Sequence, residues 1–202
     1  MALEFPTHMA AERAPGRLGG MPAVGPETVF RQFTTPVLVD QRLLGDVVDC
    51  WVAVSDAGGA VGFPFLPVDR DLVAAAAGRL IAGLDPERSH LIVAEQDGEL
   101  AGWVNLTREP DPLIAHWGTV HHLQTHPRFR GRGIGAGLMC RLQEIARDDL
   151  HLSQLHLAAR GGLGLEDFYA RLGWREIGRW PAALRLGDGE HRDEVLMLLA
   201  PV

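Results

Sequence analysis

The sequence predicts an α/β protein of the α+β type, with a single mixed sheet and helices packed against it. Two observations lead to this class. Short strand-like runs recur between segments with helically spaced apolar residues, and Gln96-Asp97-Gly98 between two such runs is a strong hairpin signal. A glycine-rich loop over residues 125–137 joins an apolar strand to an amphipathic helix. The 202 residues, 47% of them apolar, suffice for one domain with a buried core.

The N-terminal segment is expected to be flexible, in contrast to the folded domain that follows it. Residues 1–27 are rich in Pro, Gly and Ala without a sustained period, and are predicted to form a flexible N-terminal arm before a domain over residues 28–202. The start lacks a signal-peptide pattern, and no apolar run approaches the roughly 18 residues of a membrane span. We therefore expect a cytoplasmic protein without a membrane partner. The net charge of −7 argues against a nucleic-acid partner.

The first part of the domain is predicted to contain one strand and two helices. Residues 28–34 alternate in polarity, as expected for a strand, and residues 37–54 carry apolar side chains at helical spacing. A loop rich in Gly and Pro follows over residues 55–67. The alanine-rich segment 68–84 then favours a second helix, which ends at Asp85-Pro86.

The second part is predicted to contain six strands and two helices. The strands are expected over residues 90–95, 99–106, 117–125, 155–159, 174–178 and 194–199. One helix follows the glycine loop, and the other covers residues 165–172 and ends at Gly173. The predicted order is β-α-α-β-β-β-α-β-α-β-β, which corresponds to a sheet of about seven strands flanked by about four helices.

The glycine loop is predicted to be an anion site. Its glycines allow a tight turn and a close approach of the backbone to a ligand, and the first N–H groups of the next helix have no intrahelical acceptor. The positive end of the helix dipole adds to this, as do Arg128, Arg130 and Arg132. A phosphate-bearing ligand is therefore expected at the loop.

A dinucleotide is one ligand that this spacing allows. Residues 131–136 satisfy the fingerprint G-x-G-x-x-A of dinucleotide-binding folds. In that fingerprint the glycines begin where the strand ends, whereas residues 127–130 intervene here. The acidic residue expected about 20 positions later is also missing, since the region holds His151 and Gln154. The pattern alone is thus weak support for an oxidoreductase.

The element order and two motifs are similar to those of the GNAT superfamily of acyl-CoA N-acyltransferases. The signature Q/R-x-x-G-x-G/A is matched by Arg130-Gly-Arg-Gly133-Ile-Gly135, after the strand-ending Thr125-His-Pro127. The segment Phe168-Tyr-Ala-Arg-Leu-Gly-Trp174 is similar to the family's F/L-Y-x-x-x-G-F. The resemblance covers most of residues 28–202. It implies the GNAT fold, a mainly antiparallel mixed sheet whose fourth and fifth strands splay apart.

The resemblance also implies acetyl-CoA as co-substrate, with no metal. Backbone N–H groups of the glycine loop would bind the pyrophosphate, and the fourth strand would pair with the pantetheine arm and supply an oxyanion contact near Leu123. Gly162 stands where many members carry an asparagine, so one side-chain contact is in doubt. The implied coenzyme residues are Leu123, Gln124, Thr125, Arg130, Gly131, Arg132, Gly133, Ile134, Gly135 and Ala136.

Acyl transfer from a thioester to an amine needs an acid for the leaving thiolate and a base for the amine. By the resemblance, Tyr169 occupies the position of the general acid. It is the only tyrosine of the chain, and a phenol with an ordinary pKa of about 10 is neutral at working pH. The alternative interpretation is an aromatic side chain that simply packs in the core.

For the base, the fourth strand offers His121 and His122. Strand alternation predicts that they point to opposite faces, so that only one can face the site. His121 takes the place where polyamine-type acetyltransferases, to which this segment is similar, carry a glutamate that works through water. His122, a water chain, and the reserves Glu109, Asp111 and His116 stay open as alternatives, as does a histidine satisfied by core hydrogen bonds.

The last segment resembles uncharacterised small-molecule acetyltransferases of this superfamily, which implies N-acetylation of a small primary amine. The acceptor would lie against residues 55–67, against Trp103 and Asn105, and against the connection at residues 180–193. Possible wall or ion-pair residues are Trp51, Phe63, Phe65, Trp180, Glu190, Asp193 and Glu194. A non-catalytic acyl-CoA sensor and a protein or peptide acetyltransferase are the alternatives. A homodimer is also left open.

Overall fold

A computed structural model describes residues 28–59, 62–63, 66–187 and 189–202. These residues are organised around one seven-stranded sheet. The expected N-terminal arm, residues 1–27, lies outside these described residues. The strands are β1 (Thr28–Phe33), β2 (Ser89–Gln96), β3 (Glu99–Arg108), β4 (Trp117–Thr125), β5 (Gln154–Arg160), β6 (Arg175–Gly187) and β7 (Glu190–Leu199). They lie in the order β1-β2-β3-β4-β5-β7-β6. All neighbours are antiparallel except β4 and β5.

Four α-helices flank the sheet, and the predicted order of elements is confirmed. They are α1 (Gln41–Asp56), α2 (Arg70–Ala82), α3 (Ile134–Glu144) and α4 (Leu165–Arg171). The first begins later than predicted because a 3₁₀ turn, Pro36–Leu38, precedes it, and the Asp40 side chain caps it by accepting the Leu43 N–H at 2.8 Å. Within the described residues, no helix combines the length and apolar character that a membrane span requires.

The sheet is buried on both faces by these helices. Side chains of β2 alternate, so that Leu91 and Val93 pack under α1 and α2 while Ile92 packs under α3. Trp103 of β3 belongs to the first of these two cores. Both cores pack against the middle strands and thereby position the ends of β4 and β5.

Gly102 allows α3 to approach β3 and β4 closely. A Cβ at this position would lie 2.4 Å from the Gln124 carbonyl oxygen and 3.2 Å from the side chains of Ile134 and Leu138. We expect Gly102→Ala to lower the free energy of unfolding by about 1–3 kcal/mol through overpacking. Urea denaturation would measure this. Gly78→Ala in α2, where a Cβ would meet nothing within 4 Å, is the matched control and should not destabilise. Equal effects of both substitutions would contradict the packing argument.

The splay between the fourth and fifth strands is present. The two strands pair in parallel only from Trp117 to Thr119, opposite Gln154 to His156. Beyond that rung β4 continues to Thr125 and β5 to Arg160 without pairing with each other. A gap therefore opens through the sheet at the carboxyl ends of both strands.

A β-bulge in β4 overturns the predicted orientation of the two histidines. Asn105 pairs with His121 but Trp103 pairs with Gln124, so two residues of β4 stand opposite one residue of β3. His122 has φ of 55°, in the left-handed region. The bulge interrupts the strict alternation on which the prediction of opposite faces rested. Both histidines line one cavity, which is described below.

The predicted connection over residues 180–193 is also wrong, because most of it belongs to a long β6–β7 hairpin. β6 is an edge strand with mostly exposed side chains, and its register shifts between Trp180 and Leu184. Ala182 in this irregular stretch has φ of 53°. An exposed, bulged edge strand carries no alternation of polarity, so the sequence pattern missed it.

Candidate active site

A cavity of about 680 Å³ lies where β4 and β5 diverge. It is lined by residues 123–125 of β4, residues 157–160 of β5 and the glycine loop. The carboxyl end of α1 contributes from one face of the sheet, and α4 contributes from the other. The cavity thus passes through the gap in the sheet. Nine of the ten predicted coenzyme residues line it, and Arg132 is the exception.

The glycine loop has the geometry of an anion cradle. Gly131 and Gly133 have φ of 77° and 79°, which favours glycine over side chains that carry a Cβ. The first helical hydrogen bond of α3 runs from Gly137 N–H to the Gly133 carbonyl at 2.9 Å. The N–H groups just before it therefore have no intrahelical acceptor. A chain of N–H donors at the cavity wall fits a pyrophosphate.

Of the three arginines expected at the anion site, only Arg130 lines the cavity. Arg128 pairs with Glu99 at 3.1 Å. Arg132 donates a hydrogen bond to Gln96 Oε1 at 3.0 Å, and its guanidinium lies over the Phe129 ring. The backbone of Arg132 belongs to the loop, but its side chain serves the packing of the loop against β2.

Tyr169 reaches the same cavity from α4. Its side chain is 8% exposed, and its ring packs against Phe168 and Trp174 at centroid distances of 5.1 and 6.0 Å. Burial raises the pKa of Tyr169 to about 12, so the phenol stays protonated over the whole working range. The residue is therefore a core aromatic whose neutral phenol side chain lines the cavity.

A second cavity of about 580 Å³ adjoins the first, and we call it the acceptor cavity. The two share Val120, His122, Ala158 and Arg160 around the gap between β4 and β5. The acceptor cavity is further lined by His121, Phe63, Glu194 and a stretch of β6 at residues 183–186. Any molecule held there lies directly beside the contents of the first cavity.

The histidines of the acceptor cavity are both neutral at pH 7. Burial lowers the pKa of His121, while Glu109 partly opposes the shift, and His121 Nε2 is 2.9 Å from Thr107 Oγ1. Burial, with the nearby His121 as a second cause, lowers the pKa of His122 to about 4. The ring of His122 packs against Trp51 at 4.7 Å. Each residue can thus offer an unprotonated nitrogen.

Several residues expected around the acceptor lie elsewhere. Trp103 is fully buried beneath α1, and Asn105 donates a hydrogen bond to the His90 carbonyl at 3.1 Å. Trp180 is 65% exposed on the edge strand, and Phe65 lies outside the described residues. Phe63 is the one expected aromatic for which a place on the acceptor cavity is described.

The polar candidates divide in the same way. Glu190 pairs with Arg192 at 2.9 Å, and Asp193 accepts the Ala182 N–H at 3.0 Å, whereas Glu194 lines the acceptor cavity. The reserve bases Glu109, Asp111 and His116 are absent from the described linings of both cavities. Glu109 nevertheless acts on the site through the pKa of His121.

Arg160 is a site residue that the sequence reasoning missed. It is the last residue of β5 and lines both cavities. The signal was a charged residue that directly follows the apolar run at residues 155–159. Only the gap between β4 and β5 turns that strand end into a cavity wall.

A mixed sheet that opens beside a glycine-rich helix N-terminus is typical of one class of proteins, the acyl-CoA-dependent acyltransferases. Residues 49–174 match the model of the acetyltransferase (GNAT) family, which is more than half of the chain. The chain therefore belongs to the GNAT family of acetyltransferases.

Solved structures share this fold. A protein assigned as a phosphinothricin N-acetyltransferase superposes with a TM-score of 0.71 at 20% identity, over 86% of this chain and 98% of that one. An N-acetyltransferase from Staphylococcus aureus Mu50 gives 0.68 at 13% identity, over 86% and 98%. The Salmonella typhimurium protein yncA, with its cofactor acetyl-CoA, gives 0.65 at 17% identity, over 86% and 94%. At these identities the likeness concerns the fold.

Proposed function

We propose that the protein transfers the acetyl group of acetyl-CoA to the primary amine of a small molecule by direct attack. The observation that carries this is the junction of two cavities at the β4–β5 gap, with the glycine loop on one side and two neutral histidines on the other. The acceptor cavity, about 580 Å³, is of the size that small molecules fill. A primary test is release of CoA in a screen of small amines.

The coenzyme side is supplied mainly by backbone. N–H groups of the glycine loop, with Arg130, hold the pyrophosphate, and β4 pairs with the pantetheine arm along residues 123–125. The bulge next to Leu123 leaves a ladder position of β4 unpaired, which frees an N–H for the acyl oxygen. Side-chain identity matters little for these contacts, so the substitution of asparagine by Gly162 leaves them in place.

The proton transfers are assigned to His121 and Tyr169. The amine nitrogen forms a bond to the thioester carbonyl carbon, and its proton passes to His121 directly or through water. The carbon–sulfur bond breaks, and the thiolate takes a proton from Tyr169. His122, with a pKa lowered to about 4, is the weaker base of the pair. Glu109 favours the charged form of His121, which supports the assignment.

We expect His121→Asn to lower kcat/KM at least about a hundredfold at pH 7.5, since a positioned general base typically contributes about 10²- to 10⁴-fold. Because burial lowers the pKa of His121 below its ordinary value, the wild-type base is unprotonated at neutral pH and is lost only as the pH falls through that lowered pKa. The acidic limb of the kcat/KM profile should therefore lie below pH 6.5, which is about the ordinary pKa of histidine. This limb should flatten in the variant. The measurement is a pH–rate profile of both proteins with one amine.

His122→Asn is the matched control for this experiment. Asparagine tolerates the positive φ at this position better than most residues, so the bulge is retained. The control should lose less activity and keep the acidic limb. If the limb disappears from His122→Asn and persists in His121→Asn, the roles of the two histidines are reversed.

A non-catalytic acyl-CoA sensor is a second candidate, which Gly162 favours because it leaves no side chain just after β5, where many GNAT members carry an asparagine. Calorimetry that finds tight CoA binding, together with no turnover over a broad panel of amines and peptides, would support the sensor. Turnover of peptides but not of small amines would instead support a peptide acetyltransferase.

A further inference from the structure

Arg160 occupies a central place among the cavities. A third cavity of about 440 Å³ lies beside the other two and is lined by Phe63, Leu163, Leu186 and other residues from the α1 end and the β6–β7 hairpin. Within the described part of the chain, Arg160 alone lines all three cavities. Its position is therefore the point where coenzyme and acceptor spaces meet.

Among the described residues, none forms a hydrogen bond or ion pair with the guanidinium of Arg160. Its Nε is buried and has no hydrogen-bond partner among the described residues, and none of their carboxylates lies within 4.0 Å of the side chain. Glu190, whose charge partly opposes the lowering of the Arg160 pKa, is itself paired with Arg192 at 2.9 Å. Burial lowers the pKa of Arg160, which expresses the same cost of holding this charge out of water. A buried donor without a partner costs free energy until a ligand supplies one.

The position of Arg160 relative to the two histidines indicates which kind of ligand it binds. Thr119 and His156 form the last paired rung between β4 and β5. His122 follows three residues later on β4 and Arg160 four residues later on β5, so they flank the gap from opposite sides. An amine near the histidines can thus present a second group to Arg160. The phosphates of the coenzyme are already matched by the glycine loop.

The charged residues that line the second and third cavities are consistent with a ligand that carries an anionic group. The chain has a net charge of −7, yet the charged side chains described in the linings of the second and third cavities, histidines apart, are three arginines and two glutamates. A guanidinium presents two parallel N–H groups that match both oxygens of a carboxylate.

We propose that the acceptor is an amine that also carries a carboxylate, as amino acids do, and that Arg160 binds this carboxylate. The inference rests on the proposed acetyl transfer to an amine and names the class of its acceptor. Arg160 is then a specificity-determining residue: it touches the substrate but takes no part in the transfer of the acetyl group.

The test compares amino acids with their carboxamides, which keep the amine and lose the negative charge. Wild-type protein should acetylate the amino acids with the higher kcat/KM. Arg160→Gln should lower kcat/KM for the amino acids about tenfold to hundredfold and change that for the carboxamides less than about threefold. Arg160→Lys keeps the charge but not the paired donors. Its kcat/KM for the amino acids should lie between those of the wild type and Arg160→Gln.

Arg31→Gln is the control for net charge, because Arg31 lies in an exposed ion pair with Glu95 at the opposite end of the sheet. Arg31→Gln should change kcat/KM neither for the amino acids nor for the carboxamides. An equal loss for both series in Arg160→Gln would overturn the inference and assign Arg160 to the reacting centre. Acetyl-CoA affinity of each variant, measured first, identifies damage to the coenzyme site.

Binding separates this inference from the proposed function. Calorimetry with CoA-loaded protein should detect the amino acids in the wild type, and should detect weaker binding in Arg160→Gln. Such binding without turnover of any amine would refute the proposed activity and leave the carboxylate site. Turnover of uncharged amines alone would refute the carboxylate site and leave the activity.

Discussion

Replacing Tyr169 by phenylalanine is expected to lower kcat by about 10² to 10⁴-fold, the range typical of a lost general acid. The substitution removes only the hydroxyl, and the ring packing against Phe168 and Trp174 is retained. Acetyl-CoA affinity should therefore be unchanged. Steady-state kinetics with a responsive amine, together with calorimetry of acetyl-CoA binding, would measure both quantities.

The pH dependence adds a second check on Tyr169. Because burial raises its pKa to about 12, the phenol holds its proton at every pH below that value. The wild-type kcat should consequently show no alkaline decline from this group up to about pH 10, two units below that pKa. Undiminished turnover in Tyr169→Phe would remove the residue from the mechanism and leave it as a core aromatic.

Gly133→Val is expected to weaken acetyl-CoA binding at least about tenfold. Gly133 has φ of 79° at the start of α3, and a β-branched residue does not adopt this conformation without strain. The loop must shift to relieve the strain, and its N–H groups then no longer converge on the pyrophosphate. Calorimetric titration with acetyl-CoA measures the change in affinity.

Gly98→Val is the matched control for the glycine loop. Gly98 has φ of 77° in the β2–β3 turn, and a Cβ there would meet nothing within 4 Å. Both substitutions should therefore cost about 1–2 kcal/mol of stability from backbone strain. Only Gly133→Val should alter coenzyme affinity, and unchanged affinity would mean that the loop conformation is not required for binding.

Local sequence patterns predicted most of the elements. Polarity alternation predicted β1, strand-like apolar runs predicted β2 to β5, helical spacing predicted α1 and α3, and an alanine-rich run predicted α2. The turn at Asp97-Gly98 was predicted because both residues adopt positive φ readily. The β6–β7 hairpin was missed because an exposed edge strand has no buried side to impose a pattern.

Only part of the candidate site was predicted correctly from the sequence. The glycine loop is contiguous, so its residues are brought together by the chain itself. The orientations of His121 and His122 were predicted incorrectly because the bulge arises from pairing between β3 and β4. Arg132 turned to Gln96, which is 36 positions away along the chain, and no local pattern reports such a contact.

By itself, the sequence determined the order of the elements, the position of the glycine loop and the family to which its motifs point. These features depend on neighbouring residues, whose conformational preferences and spacing are written directly in the chain. The tertiary structure alone decided that Arg130 is the one of the three arginines that lines the first cavity, that both histidines line the acceptor cavity, and that Arg160 lines both cavities. These depend on where β4 and β5 stop pairing, because that gap brings together residues far apart in sequence.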